Sequence, residues 1–206
     1  MIGTKAGENG LRSYDPKAFR HAAQFCEENV WWLAQALIDD GIDAELLHAL
    51  VFSNPWEHIV LLNQRQAESN RALVWDYHVV LEGQIDDRAW IFDLDSRLPL
   101  PTPAEQYFAE TFPKQLALPE PLRAWVRPIP AQRYLAHFYS DRSHMIGQVA
   151  ISDFPAWPII APSNASERVS LHAYRDMRQC IVDGCIAQPL GALVERLLNS
   201  VQSLDR

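Results

Sequence analysis

The feature that most constrains the fold is a pair of apolar runs in RALVWDYHVVLEGQIDDRAWIFDLDSRLP, Arg71 to Pro99. Residues 73–82 and 89–95 are rich in Val, Ile, Trp, Tyr and Phe, and GQIDDR separates them, the pattern of a β-hairpin. Neither run is purely apolar: His78 stands in the first and Asp93 in the second. A loop symmetric about residues 85 and 86 sets His78 opposite Asp93, with Cβ atoms about 4.5–5.5 Å apart on one face. An imidazole N–H can then donate to the carboxylate, which fixes the tautomer and stabilises the imidazolium. The same register sets Asp95 opposite position 76. It places Trp75 and Tyr77 on the other face, where a core role is expected.

Around this hairpin the chain of 206 residues, 48% hydrophobic, is long enough for one domain with its own core, spanning 1–206 with 1–16 as a loose polar arm. Helical spacing marks CEENVWWLAQALIDDG, with Val30, Leu33, Ala34 and Leu37 on one stripe and Gly41 as the stop. Asp15 and Pro16 predict a short helical turn before it. DAELLHALVFS reads as a second helix ended by Asn54-Pro55, and LPLPTP as an extended path leaving the sheet. Further on, AEQYFAETF and GALVERLLNSVQ predict helices, a short strand and helix surround Ala131 to Phe138, and DFPAWPIIAPSNAS is a long loop. Helices first and a hairpin after them argue for an α+β domain.

With 18 basic against 26 acidic residues, a net charge of −8, nucleic acid and anionic membranes are not the expected partners. The balance favours substrates that bear a positive group. No apolar segment reaches the roughly 18–20 residues that span a bilayer. MIGTKAGENGLRSYD lacks the profile of a secretory signal, and the three cysteines, Cys26, Cys180 and Cys185, are too few for a disulfide framework. A cytoplasmic location is expected.

A His–Asp pair needs a nucleophile to serve. Cys26 stands at the start of the predicted first helix, where the dipole and a neighbouring imidazolium favour the thiolate. Such a thiolate attacks a carbonyl carbon. Glu27 and Glu28 oppose this and must point away or do something else. Each residue also has an ordinary explanation: a buried Cys filling space, a hydrogen-bonded core His, and Asp93 and Asp95 at a strand end with Asp95 and Ser96 in a turn.

At these residues the sequence resembles the protein N-terminal glutamine amidohydrolases. The blocks FCEENVWWL, VWDYHVVLE, IFDLDSRLPLP and YLAHFYSDRSHM carry the resemblance over roughly residues 24 to 145, and GCIAQPLGALVERL continues it loosely. It implies a papain- or transglutaminase-like α+β fold, an antiparallel sheet with the nucleophilic Cys at the amino end of a packed helix. It also implies removal of ammonia from the side chain of an amino-terminal Gln, leaving Glu, a reaction that in eukaryotes feeds protein degradation. By motif, Cys26 is the nucleophile, His78 the general base and acid, and Asp93 the orienting carboxylate, with Asp95 as the alternative. No metal or organic cofactor is implied.

Selectivity for a chain terminus requires a group that binds the free α-ammonium, and a carboxylate suits it. Glu27, Glu28 and Asp76 are candidates, the two glutamates having helix-dipole electrostatics as their ordinary explanation. In SDRSHM, Asp141, Arg142, Ser143 and His144 are expected near the pocket, binding substrate or bracing it. His172, Cys180 and Cys185 are read as structural, because Cys-x4-Cys without a second pair suits zinc poorly. The expected partners are proteins or peptides with a free amino-terminal Gln, met by a monomer. The competing readings are another thiol acyl-transfer enzyme, such as an internal-Gln deamidase or a transglutaminase-like crosslinker, a protease, and a non-catalytic module that binds chain termini.

Overall fold

The structure, a computed structural model, describes residues 4–6, 12–68 and 71–202. Six antiparallel strands form its central sheet: β1 (Leu47–Ser53), β2 (His78–Ile85), β3 (Arg88–Phe92), β4 (Thr102–Pro103), β5 (Trp125–Pro130) and β6 (Gln188–Pro189). Their spatial order is β6-β5-β1-β2-β3-β4. The α-helices are α1 (Cys26–Asp39), α2 (Ala104–Thr111), α3 (Ala131–His137), α4 (Leu171–Arg175) and α5 (Leu190–Gln202). α1, α3 and α4 cover one face of the sheet, and α2 and α5 the other. The domain is therefore α+β, with the sheet as the middle of three layers. Among the described residues no helix is long and apolar enough to cross a membrane.

Burial on both faces hides β1 in the sequence. DAELLHALVFS, expected to be helical, is a tight turn at Ala44–Leu46 followed by this central strand. Leu47, Ala49 and Val51 pack toward α1, whereas Leu50 and Phe52 pack toward α2 and α5. With apolar neighbours on both sides the alternation of polar and apolar residues disappears, and a short apolar run has no period to separate strand from helix. LPLPTP, expected to leave the sheet, returns to it: Thr102 and Pro103 pair with Ile91 and Trp90 at the edge, where a proline lacking an N–H is tolerated.

The hairpin of β2 and β3 differs from its expected form in two ways. Its turn is Asp86-Asp87, both with φ in the left-handed region (51° and 59°), the geometry of a two-residue turn whose twist matches the strands. The register is therefore Leu81 opposite Phe92 and Gly83 opposite Trp90, two residues away from the symmetric loop assumed from sequence. A shift of two keeps every side chain on its face. The first arm is also broken. Leu73–Trp75 pairs with Ile59–Leu61 outside the main sheet, and Asp76-Tyr77 link it to β2.

Part of the arm expected over residues 1–16 lies outside the described residues; within them Thr4–Ala6 pairs with Arg12–Tyr14. Tyr14 is buried against Phe19 and Phe92. Asp15 accepts from the N–H of Lys17 at 2.9 Å and caps a tight turn at Pro16–Ala18.

Arg127 of β5 ties the segment after α4 to the sheet. Its fully buried guanidinium donates to the carbonyls of Tyr174, Asp176, Gln179, Cys180 and Cys185. Five donors thus satisfy a largely irregular backbone whose only ladder is the short pairing of Ile181–Val182 with Cys185–Ile186. Cys185 is buried and Cys180 exposed, both as free thiols. Arg127→Met strands those carbonyls, so the variant should lose on the order of 3–5 kcal/mol in urea unfolding. Amide exchange over residues 174–186 should accelerate with it; an unchanged unfolding midpoint would contradict this account.

Candidate active site

Local chemistry presents Cys26 at the head of α1. The side chain of Asn29 both accepts from the N–H and donates to the carbonyl of Ala22, each at 2.8 Å, which pins the chain arriving at the helix. Phe25 occupies the capping position without a side-chain cap, so the first-turn N–H groups are not spent on one. Val30, Leu33, Ala34 and Leu37 seat α1 on the sheet as their spacing predicted. Cys26 is buried, its Sγ donates to Glu27 Oε2 at 3.7 Å, and the N–H of Val79 reaches the sulfur. Burial above all, then the charges of Glu27 and Asp95, push the thiol well above its ordinary range, while the Val79 N–H works the other way. The thiolate expected from the helix dipole is thus not the resting form, because the sulfur is buried and, in addition, the side chain at position 27 turns inward instead of away.

One residue before Val79 on β2, His78 donates from Nε2 to Asp93 Oδ2 at 3.0 Å, both side chains being buried. The register sets Asp95, not Asp93, across from His78, but β3 ends at Phe92. The turn that follows, with Ser96 N–H on the Asp93 carbonyl, swings Asp93 back to the ring. Asp93 also accepts from Tyr107 Oη at 2.8 Å, Gln64 Nε2 at 3.3 Å and the Asp95 N–H at 2.9 Å. Burial by itself would lower the pKa of His78, but the charge and hydrogen bond of Asp93, then the charge of Asp95, raise it overall. Burial likewise opposes ionisation of Asp93, yet His78, Tyr107 and the Asp95 N–H hold it below its ordinary value. Nδ1 of His78 is buried without a hydrogen-bond partner among the described residues. No hydrogen bond joins it to the thiol, whose own bond goes to Glu27.

The glutamates after Cys26 are buried and differently used. Glu28 is saturated: Ser140 Oγ, Arg142 Nε and Nη2, and Trp157 Nε1 donate to it at 2.7, 2.8, 2.8 and 2.6 Å. That cluster fastens SDRSHM and the Pro-rich loop onto α1. Glu27 Oε2 accepts from Tyr77 Oη at 2.9 Å, and His144 Nε2 lies 3.2 Å from the same hydroxyl. Oε1 of Glu27 has no hydrogen bond among the described residues, His144 Nε2 lying 3.6 Å away. Burial raises the Glu27 pKa to about 8, so near neutrality this carboxyl largely keeps its proton.

A cavity of about 220 Å³ opens above the thiol, bordered by Cys26, Trp75, Asp76, Tyr77, Asp95, His144 and Arg175. Asp76 pairs with Arg175, whose guanidinium also lies 5.3 Å from the Tyr77 ring centre. A second cavity adjoins the first through His144 and Arg175. Of the expected SDRSHM residues only His144 borders the main cavity. Arg142 is turned to Glu28, and Asp141 accepts from the Ser143 N–H and hydroxyl at 2.9 and 2.7 Å. Tyr77 is buried in the core as expected and Trp75 packs against it from the edge, and both also border the cavity. Tyr107, Gln64 and Arg175 carry no signal in the sequence that could have marked them. Gln24, with φ 68° and bordering the cavity, could have been suspected from its place two residues before the thiol. Among the described residues no group of three or more His, Cys, Asp or Glu is arranged to hold a metal ion.

Comparison with known proteins adds an independent line. The sequence model of the N-terminal glutamine amidase family matches residues 21–196. A protein N-terminal glutamine amidohydrolase of Arabidopsis thaliana is 29% identical over 197 residues, 87% of this chain and 89% of that protein. Proteins of the same name from Drosophila virilis and Drosophila grimshawi are 37% and 38% identical over 124 and 125 residues. Those two alignments span 59% of this chain and 60% of each relative.

The buried Glu27 makes stability depend on pH. Its ordinary pKa of 4.5 applies to the unfolded chain and about 8 to the folded one. Its contribution is fully present below the unfolded value and is lost as pH rises through the folded value, at up to about 1.4 kcal/mol per unit. Glu27→Gln cannot ionise. Calorimetry between about pH 5 and about pH 8.5 should show a larger fall in Tm for the wild type than for this variant. Parallel curves would mean that Glu27 is ionised in the folded protein.

Proposed function

Because the chain belongs to the N-terminal glutamine amidase family, we propose that it hydrolyses the side-chain amide of an amino-terminal Gln to Glu with Cys26 as nucleophile, releasing ammonia. The observation that carries the mechanism is the buried His78–Asp93 pair. Asp93 occupies Nε2, which leaves Nδ1 as the basic position, and the thiol lies against the backbone of the very next residue. In this reading the architecture is papain- or transglutaminase-like, and a single monomeric domain does the work.

The reaction starts from a thiol. Cys26 turns from Glu27 toward His78, gives up its proton to Nδ1 and attacks the amide carbon. The uncapped N–H groups of the first turn of α1 are placed to receive the oxyanion. The imidazolium, stabilised by Asp93, then protonates the departing nitrogen. Water, deprotonated by the neutral ring, cleaves the thioester and restores the thiol. Asp93 holds the tautomer throughout, and Tyr107 and Gln64 hold Asp93.

Recognition of the terminus falls to the cavity mouth. Asp76 borders it with a half-exposed carboxylate, which suits the α-ammonium better than Glu27, sealed beneath the floor and largely neutral. Glu27 acts instead through Tyr77 and the thiol. The adjoining cavity past His144 and Arg175 offers a path for the residues that follow the Gln.

Mass spectrometry of peptides differing only in their first residue tests the assignment: Gln-initiated peptides should gain the mass of an amide-to-acid exchange, and amino-acetylated copies should not. Turnover of acetylated peptides would favour an internal-Gln deamidase. Cys26→Ala and His78→Ala should abolish turnover, and Asp93→Asn should lower kcat by about 10²–10⁴-fold. Since Asp93 raises the pKa of His78, the acid limb of kcat/KM should lie above 6.5 and move to lower pH in Asp93→Asn. An acid limb that stays in place would detach Asp93 from the base.

A further inference from the structure

Asp95 belongs to no step above, yet it borders the same cavity as Cys26 with a side chain only 7% exposed. It is held firmly. Its N–H donates to Asp93 Oδ1 at 2.9 Å, its carbonyl accepts from the Arg65 N–H at 2.8 Å, and its Oδ1 meets His21 Nε2 at 2.8 Å. Oδ2 has no hydrogen-bond partner among the described residues. The charge of Asp95 is felt by both reacting groups, Cys26 and His78. A carboxylate there disfavours the thiolate, so its place at the reaction centre calls for a compensating role.

Resting on the reading of this cavity as a glutamine site, we infer that Asp95 reads the substrate's carboxamide nitrogen, accepting an N–H of the side-chain amide at Oδ2. A primary amide carries an acceptor at one end and two donors at the other. Once the first turn of α1 takes the oxygen, the nitrogen faces away from the helix and needs an acceptor. A fixed, nearly dry carboxylate supplies it and rejects groups without a donor. Hydrolysis reverses the interaction. The new Glu side chain is an anion with nothing to donate, and against the nearly dry Asp95 it is repelled. The carboxylate that selects the amide thereby drives out the acid. His21 acts through Asp95 as a positioning residue, occupying Oδ1 and leaving Oδ2 for the substrate.

The test compares wild type and Asp95→Asn on a Gln-initiated peptide and on the same peptide beginning with the γ-methyl ester of Glu, which has no side-chain N–H. Wild-type turnover of the Gln peptide tests the underlying reading; the variant's discrimination tests this one. The variant should lose about 10–100-fold in kcat/KM on the amide and less than about 3-fold on the ester. Inhibition by the Glu-initiated product should tighten by about 10-fold or more. Equal losses on amide and ester would place Asp95 on the α-ammonium or in support of the triad, and unchanged product inhibition would remove the repulsion; either overturns the inference. A measurement that leaves Asp95 intact accompanies it, in case the variant does not fold. With Cys26→Ala at neutral pH, the Gln-initiated peptide should bind at least about 10-fold tighter than its Glu-initiated counterpart. Equal affinities would refute the assignment.

Discussion

The hydrogen-bonded pair of His78 and Asp93, closed off from solvent, is the interaction on which the rest of the molecule depends. A carboxylate in a dry interior is stable only when further donors reach it. The fold supplies them from four places: Tyr107 on α2, Gln64 in the loop after Leu61, and the Asp95 N–H in the turn after β3, with the ring itself on β2. Removing any one of these elements would leave an underpaired charge in the core. α2, the loop after Leu61 and the turn after β3 are therefore coupled to the same pair.

Acidic groups crowd this centre, and each is handled by different physics. Glu28 is neutralised by a bidentate guanidinium and spends its remaining capacity on Ser140 and Trp157. Glu27 avoids the cost of a buried charge by holding its proton until about pH 8. Asp93 is hydrogen-bonded to the ring of His78, and Asp76 is paired with Arg175 at the cavity mouth. Asp95 is buried beside the cavity with one carboxylate oxygen on His21. A net charge of −8 says nothing of this division. It follows from which carboxylates the fold buries and what it sets beside them.

Legibility in the sequence varied with the kind of pattern. The stripe of Val30, Leu33, Ala34 and Leu37 identified α1 because one face of that helix meets solvent and the other the sheet. β1 gave no such contrast, since both of its faces are covered. The hairpin register was misjudged by two residues because nothing local announced that Asp86 and Asp87 would both adopt left-handed backbone. His78 and Asp93 still meet, because β3 ends at Phe92 and the turn after it swings Asp93 back to the ring. The error did matter for Asp95, which the assumed register sent toward position 76 and the structure sends to His21.

The sequence by itself determined the identities and order of the candidate groups, Cys26 at a helix start, His78 on a strand and Asp93 just past the end of the next, because periodicity and motif act over short stretches of chain. Only the tertiary structure decided their ionisation and their neighbours. Burial and electric fields come from residues far away in the chain: Tyr107 beside Asp93, Val79 beneath the sulfur, Arg175 across from Asp76. A thiol that sequence alone made a thiolate is neutral in the fold, since its pKa is set by the carboxylates and the dry surroundings that folding brings to it.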